Sequence, residues 1–222
     1  MVQTQMTTIF ICAGEATRWN NYNGTPKHYA VLNGEPIIER ATRLFREHGA
    51  QDLIVVSKEY NIANTTSFRP TLNDSFFDAD KFLSSRRLWN DAGRTVVVYG
   101  DVYWTDNAVQ QVCTYDETEL KMFCRPYPSE ITGTKWGECF ALSFYPEHHQ
   151  QIFDTLHELI WAYDEGIIGR IGGWELMKRL SGVKLGYLHE DLEQSDLYFV
   201  IDDETDDIDF FDDWLRLKGL IG

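Results

Sequence analysis

The chain lacks several things that would fix its class at once. It has no apolar run near the length of a membrane span, and no secretory signal pattern follows Met1. A soluble, cytoplasmic protein that does not engage a membrane is therefore expected. Positive charge is scarce: 20 Lys and Arg stand against 35 Asp and Glu, for a net charge of −15. A long nucleic-acid footprint needs many cations to neutralise phosphates, so binding to bulk DNA or RNA is excluded. A small phosphorylated ligand held by a few cations in one cleft is not. Cysteine is sparse too. Cys12, Cys113, Cys124 and Cys139 form no Cys-x-x-Cys pair and have no His at zinc spacing, so free thiols in a reducing compartment are expected. No repeat, low-complexity tract or linker divides the 222 residues, and one domain over 1–222 is expected.

What is present is organised around Phe10 to Lys27. A short apolar run, Thr7 to Cys12, reads as a buried strand. It stops at Ala13-Gly14, and a small-residue turn then carries Arg18. A polar loop follows and ends in Pro26-Lys27. Small residues let backbone N–H groups approach phosphate oxygens, and Arg and Lys supply opposing charge. The stretch reads as a polyphosphate cradle.

Downstream, Asn33-Gly34 marks a turn and Pro36 opens a helix over Ile37 to His48. Leu53 to Val56 is a second buried strand. Residues 57 to 77 read as irregular, and Asp78 as the N-cap of a helix through Trp89. TVVVY, Thr95 to Tyr99, is the strongest strand signal and runs into Gly100-Asp101. A short helix over Asn107 to Val112 and strands over Leu120 to Cys124 and Cys139 to Phe144 follow. Helices are expected from Pro146 to Tyr163 and Trp174 to Leu180, and strands over Val183 to Leu188 and Leu197 to Ile201. An amphipathic helix, Ile208 to Leu220, closes the chain. Strand, loop, helix and strand in succession predict a three-layer α/β/α fold with a mostly parallel central sheet.

In an open α/β sheet, ligands bind at the C-terminal edge of the strands. The opening loop, Asp101 and Asp202 all fall there. Phosphoryl or nucleotidyl transfer needs charge neutralisation and alignment more than covalent chemistry. Asp101 and Asp202 are candidate Mg2+ ligands, with Arg18 and Lys27 on the phosphates. Asp202 is preferred to Asp203 because it directly follows the strand. Asp101 alone also reads as a helix N-cap, and the acidic run from Asp202 as a solvated turn.

These residues resemble a family. Ala13-Gly14-Glu15-Ala16-Thr17-Arg18 and Pro26-Lys27 are similar to the Ala-Gly-x-Gly-(Thr/Ser)-Arg…Pro-Lys signature of nucleotidyltransferases with a GT-A-like, Rossmann-related fold. Gly34-Glu35-Pro36-Ile37-Ile38 resembles that family's helix start, and Gly100-Asp101 its metal-binding Gly-Asp. Asn73 to Ser85 is similar to a segment of the phosphocholine cytidylyltransferase-like branch, and Ile201 to Asp207 to the closing acidic segment. The resemblance runs from residue 9 to about residue 214. It implies transfer of a nucleotide from a nucleoside triphosphate to a sugar phosphate or other phosphorylated small alcohol, with release of pyrophosphate. It also implies nucleotide contacts from Ala13, Gly14, Glu15, Ala16, Thr17 and Ser84. Arg18 would clamp the outer phosphates, Lys27 would stabilise transition-state charge, and Asp101 and Asp202 would hold Mg2+. Ala16 departs from the signature, which has glycine there. Two other readings stand beside this one: a GT-A glycosyltransferase, against which Tyr103 counts because it replaces the second acid of Asp-x-Asp, and a non-catalytic nucleotide-binding module, which Ala16 would suit. Lys135, Trp136 and Glu138 are candidates for acceptor selection. Lys58, Arg86, His28, Tyr103, Trp104 and Trp174 are cleft candidates against a default of surface or packing roles.

Overall fold

The computed structural model describes residues 6–12, 18–20, 22–57, 67–70, 82–83, 85–188 and 195–222. The chain opens with β1 (Thr7–Cys12), the two-residue strands β2 (Val31–Leu32) and β3 (Glu35–Pro36), α1 (Ile37–Glu47), β4 (Asp52–Ser57) and β5 (Ser67–Pro70). It continues through β6 (Thr95–Tyr99), β7 (Val102–Tyr103), α2 (Asp106–Thr114), β8 (Lys121–Arg125) and β9 (Glu138–Phe144). The last part holds α3 (His149–Asp164), α4 (Gly173–Leu180), β10 (Tyr198–Val200), β11 (Asp206–Asp207) and α5 (Phe211–Ile221).

Seven strands form one sheet in the order β10-β8-β9-β6-β1-β4-β5. All neighbours run parallel except β9, which is antiparallel to both β6 and β8. Helices on both faces bury every residue of β1, which is why the strand reads as continuously apolar rather than alternating. The period of two still appears in depth. Ile9 and Ile11 enter one core with Ile152, Leu156 and Leu159 of α3 and Leu176 and Met177 of α4. Phe10 and Cys12 enter the other with Ile38, Leu44 and Phe45 of α1 and Val109 and Val112 of α2. The architecture is the expected three-layer α/β/α.

Local chemistry sets the element ends. Asn33 and Gly34 both take positive φ, 50° and 80°, and close the β2–β3 hairpin. Thr105 caps α2, its Oγ1 accepting from Ala108 N at 3.0 Å. Three expectations need correction. Residues 181–188 form turns rather than a strand, because Gly182 and Gly186 hold φ of 89° and 84° and break the extended run. β5 pairs in parallel with β4 inside the stretch expected to be irregular. The closing helix begins at Phe211, where Asp213 accepts from the backbone N–H of Phe210 at 2.7 Å. Of the helix expected from Asp78, the described residues show helical turns at residues 82–83 and 85 and a 3-10 turn at Arg86–Leu88, and Asp78 lies outside them.

The acidic run after β10 is fixed by a buried ion pair. Arg125, at the end of β8, and Asp206 are both fully buried, with Nη2 2.8 Å from the carboxylate. Arg125 also donates to the Thr205 carbonyl at 3.0 Å. The Asp206 carboxylate also contacts Arg216 of α5 at 2.7 Å and accepts from the Thr134 hydroxyl. Burial acts to raise the Asp206 carboxyl, and the Arg125 charge and these hydrogen bonds overcome it, so the net shift is downward. Removing one partner of such a pair leaves buried charge under-compensated. Arg125→Leu is expected to lower stability by about 3 kcal/mol, read as a reduced urea midpoint at unchanged slope.

Candidate active site

The parallel strands bring β1 and β6 to the same edge, ending at Cys12 and Tyr99. Gly100 then turns the chain. A Cβ there would lie 2.2 Å from Cys12 Sγ and 3.0 Å from the Ile11 carbonyl, so only glycine allows this close approach. Asp101 follows and points at Lys27. The Lys27 ammonium makes ion pairs with Asp101 and with Asp209, the latter at 3.0 Å. Arg18 takes the other Asp209 oxygen at 2.5 Å. Pro26 presents Lys27 by opening a 3-10 turn, with Tyr29 N donating to the Pro26 carbonyl at 2.9 Å.

Asp209 reaches this site by an indirect route. β10 lies three strand positions from β6, and steps of about 4.8 Å place their ends about 14 Å apart. Asp202, just past β10, is therefore not brought to Asp101. It is exposed, and its carboxylate accepts from the Ser129 hydroxyl at 3.0 Å. From there the acidic run crosses the edge of the sheet. Asp203 accepts from the Thr105 hydroxyl at 2.6 Å. Asp206 and Asp207 then pair antiparallel with Tyr103 and Val102. Ile208 N donates to the Asp101 carbonyl at 3.0 Å, and the Ile208 side chain is buried. Because strand side chains alternate, burial of Ile208 turns Asp207 and Asp209 together toward Asp101 and Lys27.

A cleft of about 970 Å3 opens beside this network. Arg18, Lys27, His28, Asp101, Asp207 and Asp209 line one side of it. Its electrostatics are set by crowded carboxylates. Burial, then Glu138, Asp209 and Asp101, hold the Asp207 carboxyl well above its ordinary value. Burial, then Asp206 and Asp209, push Glu138 up to about 8. Burial pulls the Lys27 ammonium down, but Asp101 and Asp209 outweigh it, and the net shift is upward. Burial also pushes His28 down to about 4. Glu138, Asp206 and Asp207 each offer an oxygen within 4.8 Å of the others, a grouping able to hold a cation. Asp206 is already committed to two arginines, which leaves Glu138 and Asp207 as the more available pair.

The raised Glu138 carboxyl has a pH consequence. Folded, Glu138 keeps its proton up to about pH 8, whereas unfolded it loses it near its ordinary 4.5. Between those values the native state binds more protons, so its contribution is present at low pH and lost as pH rises. In metal-free buffer, Glu138→Gln is expected to reduce the loss of stability between pH 5 and pH 8, compared by urea midpoints with the parent protein.

The sequence-derived candidates divide into three groups. Arg18, Lys27 and Asp101 are brought together, and His28, Lys135, Trp136, Glu138 and Trp174 line the same cleft. Ala13, Gly14, Glu15, Ala16, Thr17, Ser84 and Lys58 lie outside the described residues. The others sit elsewhere: Trp104 is in the core, Tyr103 is buried in β7, and Arg86 stacks over Phe153. Asp207, Asp209 and the Arg125–Asp206–Arg216 brace were missed. The available signal was Asp207-Ile208-Asp209, two acids flanking one apolar residue at strand period. None of the four cysteines forms a disulfide. Among the described residues, no helix is long and apolar enough to cross a membrane.

No family model and no curated protein matches the chain. Solved structures do match in fold. The CTP:phosphocholine cytidylyltransferase of Streptococcus pneumoniae aligns over 98% of this chain and all of its own, with TM-score 0.63 and 15% identity. The inositol-1-phosphate CTP transferase of T. maritima aligns over 98% and 96%, with TM-score 0.65 and 10% identity. A UDP-glucose pyrophosphorylase complexed with UDP-glucose aligns over 98% of both chains, with TM-score 0.67 and 12% identity. Identities this low speak for architecture alone. Over nearly its whole length, the chain has the α/β fold found in these nucleotidyltransferases.

Proposed function

We propose that the protein is a Mg2+-dependent nucleotidyltransferase that joins a nucleoside triphosphate to a sugar phosphate or other phosphorylated small alcohol. The observation that carries this reading is the contact network of Lys27, Asp101, Asp209 and Arg18 at the mouth of a cleft on the C-terminal edge of the sheet. Asp101 and Asp209, rather than Asp202 or the Glu138–Asp207 pair, would hold the metal. Carboxylate oxygens are the donors Mg2+ prefers, and the Lys27 ammonium between them supports this as a place for a cation. Once bound, the ion would neutralise charge on the triphosphate oxygens.

The chain's own residues do the rest. Arg18, more than half exposed and held by Asp209, would present its remaining N–H groups to the outer phosphates. Lys27 is held charged beside the α-phosphate, where negative charge accumulates. An oxygen of the acceptor's phosphate attacks the α-phosphorus. The new O–P bond forms as the α–β bridging bond breaks, and pyrophosphate leaves with that electron pair. The attacking oxygen is already anionic, so no general base is needed, and His28, neutral near pH 7, is given no proton-transfer role.

The test is pyrophosphate release from each of the four nucleoside triphosphates with Mg2+ and a panel of sugar and alcohol phosphates. Release with at least one pair, abolished by chelation, is expected. No release from any pair would overturn the proposal.

A further inference from the structure

The far wall of the cleft is built by α4 and the residues before it. Arg170, Trp174, Glu175 and Lys178 line it. Glu175 is only 1% exposed. Its Oε1 accepts from Arg170 Nε at 2.9 Å, which fixes the carboxylate plane. Its Oε2 is buried and has no hydrogen-bond partner. A buried acceptor left without a donor is unfavourable and uncommon in folded proteins, and this one belongs to a residue on the wall of a cleft.

We propose that Glu175 Oε2 accepts a hydrogen bond from a hydroxyl of the acceptor, and that the acceptor is a polyhydroxylated phosphate monoester rather than one with an ammonium head group. The inference rests on the transfer reading above and narrows it. Charge decides between the two head groups. Among the described residues of this wall, Arg170 and Lys178 flank Glu175, two cations beside one carboxylate, which suits a neutral donor and disfavours an ammonium. The aromatic alternative is also weak. The Trp174 ring already faces the Lys178 ammonium at 5.9 Å and stacks on Tyr198 at 6.4 Å.

Calorimetry on the Mg2+-loaded protein can test this without turnover. The probes are myo-inositol 1-phosphate against cyclohexyl phosphate, and glycerol 3-phosphate against propyl phosphate, pairs that differ in hydroxyls. Phosphocholine and phosphoethanolamine supply the ammonium arm. At least one hydroxylated probe is expected to bind at least about 30-fold more tightly than its bare partner. Glu175→Ala should reduce that ratio to about threefold or less, and Glu175→Gln, which keeps an acceptor oxygen, should retain part of it. Triphosphate affinity and the thermal midpoint of Glu175→Gln should stay near those of the parent. Tighter binding of phosphocholine or phosphoethanolamine, a ratio unaffected by both variants, or no preference for hydroxyls in the parent would overturn the inference. Pyrophosphate release by the parent is scored separately, so failure of the transfer reading is distinguishable from failure of the Glu175 assignment.

Discussion

Lys27→Met is expected to lower kcat by about 10³-fold while leaving the protein folded, measured by pyrophosphate release beside a circular dichroism spectrum. The magnitude follows from where the ammonium sits. It is held between Asp101 and Asp209 with its side chain only 13% exposed, so its charge is poorly screened and its position is fixed. A pre-aimed cation stabilises developing charge without reorganising at the moment of reaction. Its loss also removes the counter-charge from Asp101, Asp207 and Asp209, which then repel one another. A second measurement uses that. In the proposed site, ammonium and Mg2+ would draw on the same two carboxylates, so Mg2+ should raise the melting temperature of Lys27→Met by more than it raises that of the parent. Equal shifts in the two proteins would show that the metal binds elsewhere, and a kcat within tenfold of the parent would remove Lys27 from the chemistry.

Much of this site was legible in the residues because its parts lie beside strong local signals. Thr7 to Cys12 and Thr95 to Tyr99 are continuous apolar runs, and such runs in a chain alternating strands and helices belong to a parallel sheet covered on both faces. Once those two strands are neighbours, Lys27 and Asp101 fall at one edge. What was not legible depends on pairings distant in sequence. Two residues of β11 pair with two residues of β7 about a hundred positions earlier, and no periodicity announces a contact that short. Arg125 was equally hidden. It reads as the first residue of a polar loop, yet it ends a strand and is fully buried against Asp206. The expected strand at Val183 to Leu188 failed for a local reason: Gly182 just before it and Gly186 within it both take positive φ, which breaks the extended run.

The sharpest consequence of the crossing concerns two aspartates only seven residues apart. Asp209→Asn is expected to reduce kcat by about 10²- to 10³-fold and to raise the Mg2+ concentration needed for half-maximal rate, whereas Asp202→Asn should stay within about threefold of the parent. Both follow β10 in the same acidic run, and by sequence Asp202 is the better candidate because it leaves the strand directly. Geometry reverses the order. Asp202 stands three strand positions from Asp101 and faces the Ser129 hydroxyl. Asp209 has been carried across the edge, locked by burial of Ile208, and shares its carboxylate between Lys27 and Arg18. Asparagine preserves the shape at either position but removes one negative charge. At Asp209 that charge faces two cations and a candidate metal; at Asp202 it faces solvent and a neutral hydroxyl. Equal losses in the two variants, or a larger loss at Asp202, would place the metal at the β10 end of the sheet and would require the crossing segment to be rearranged in the active state.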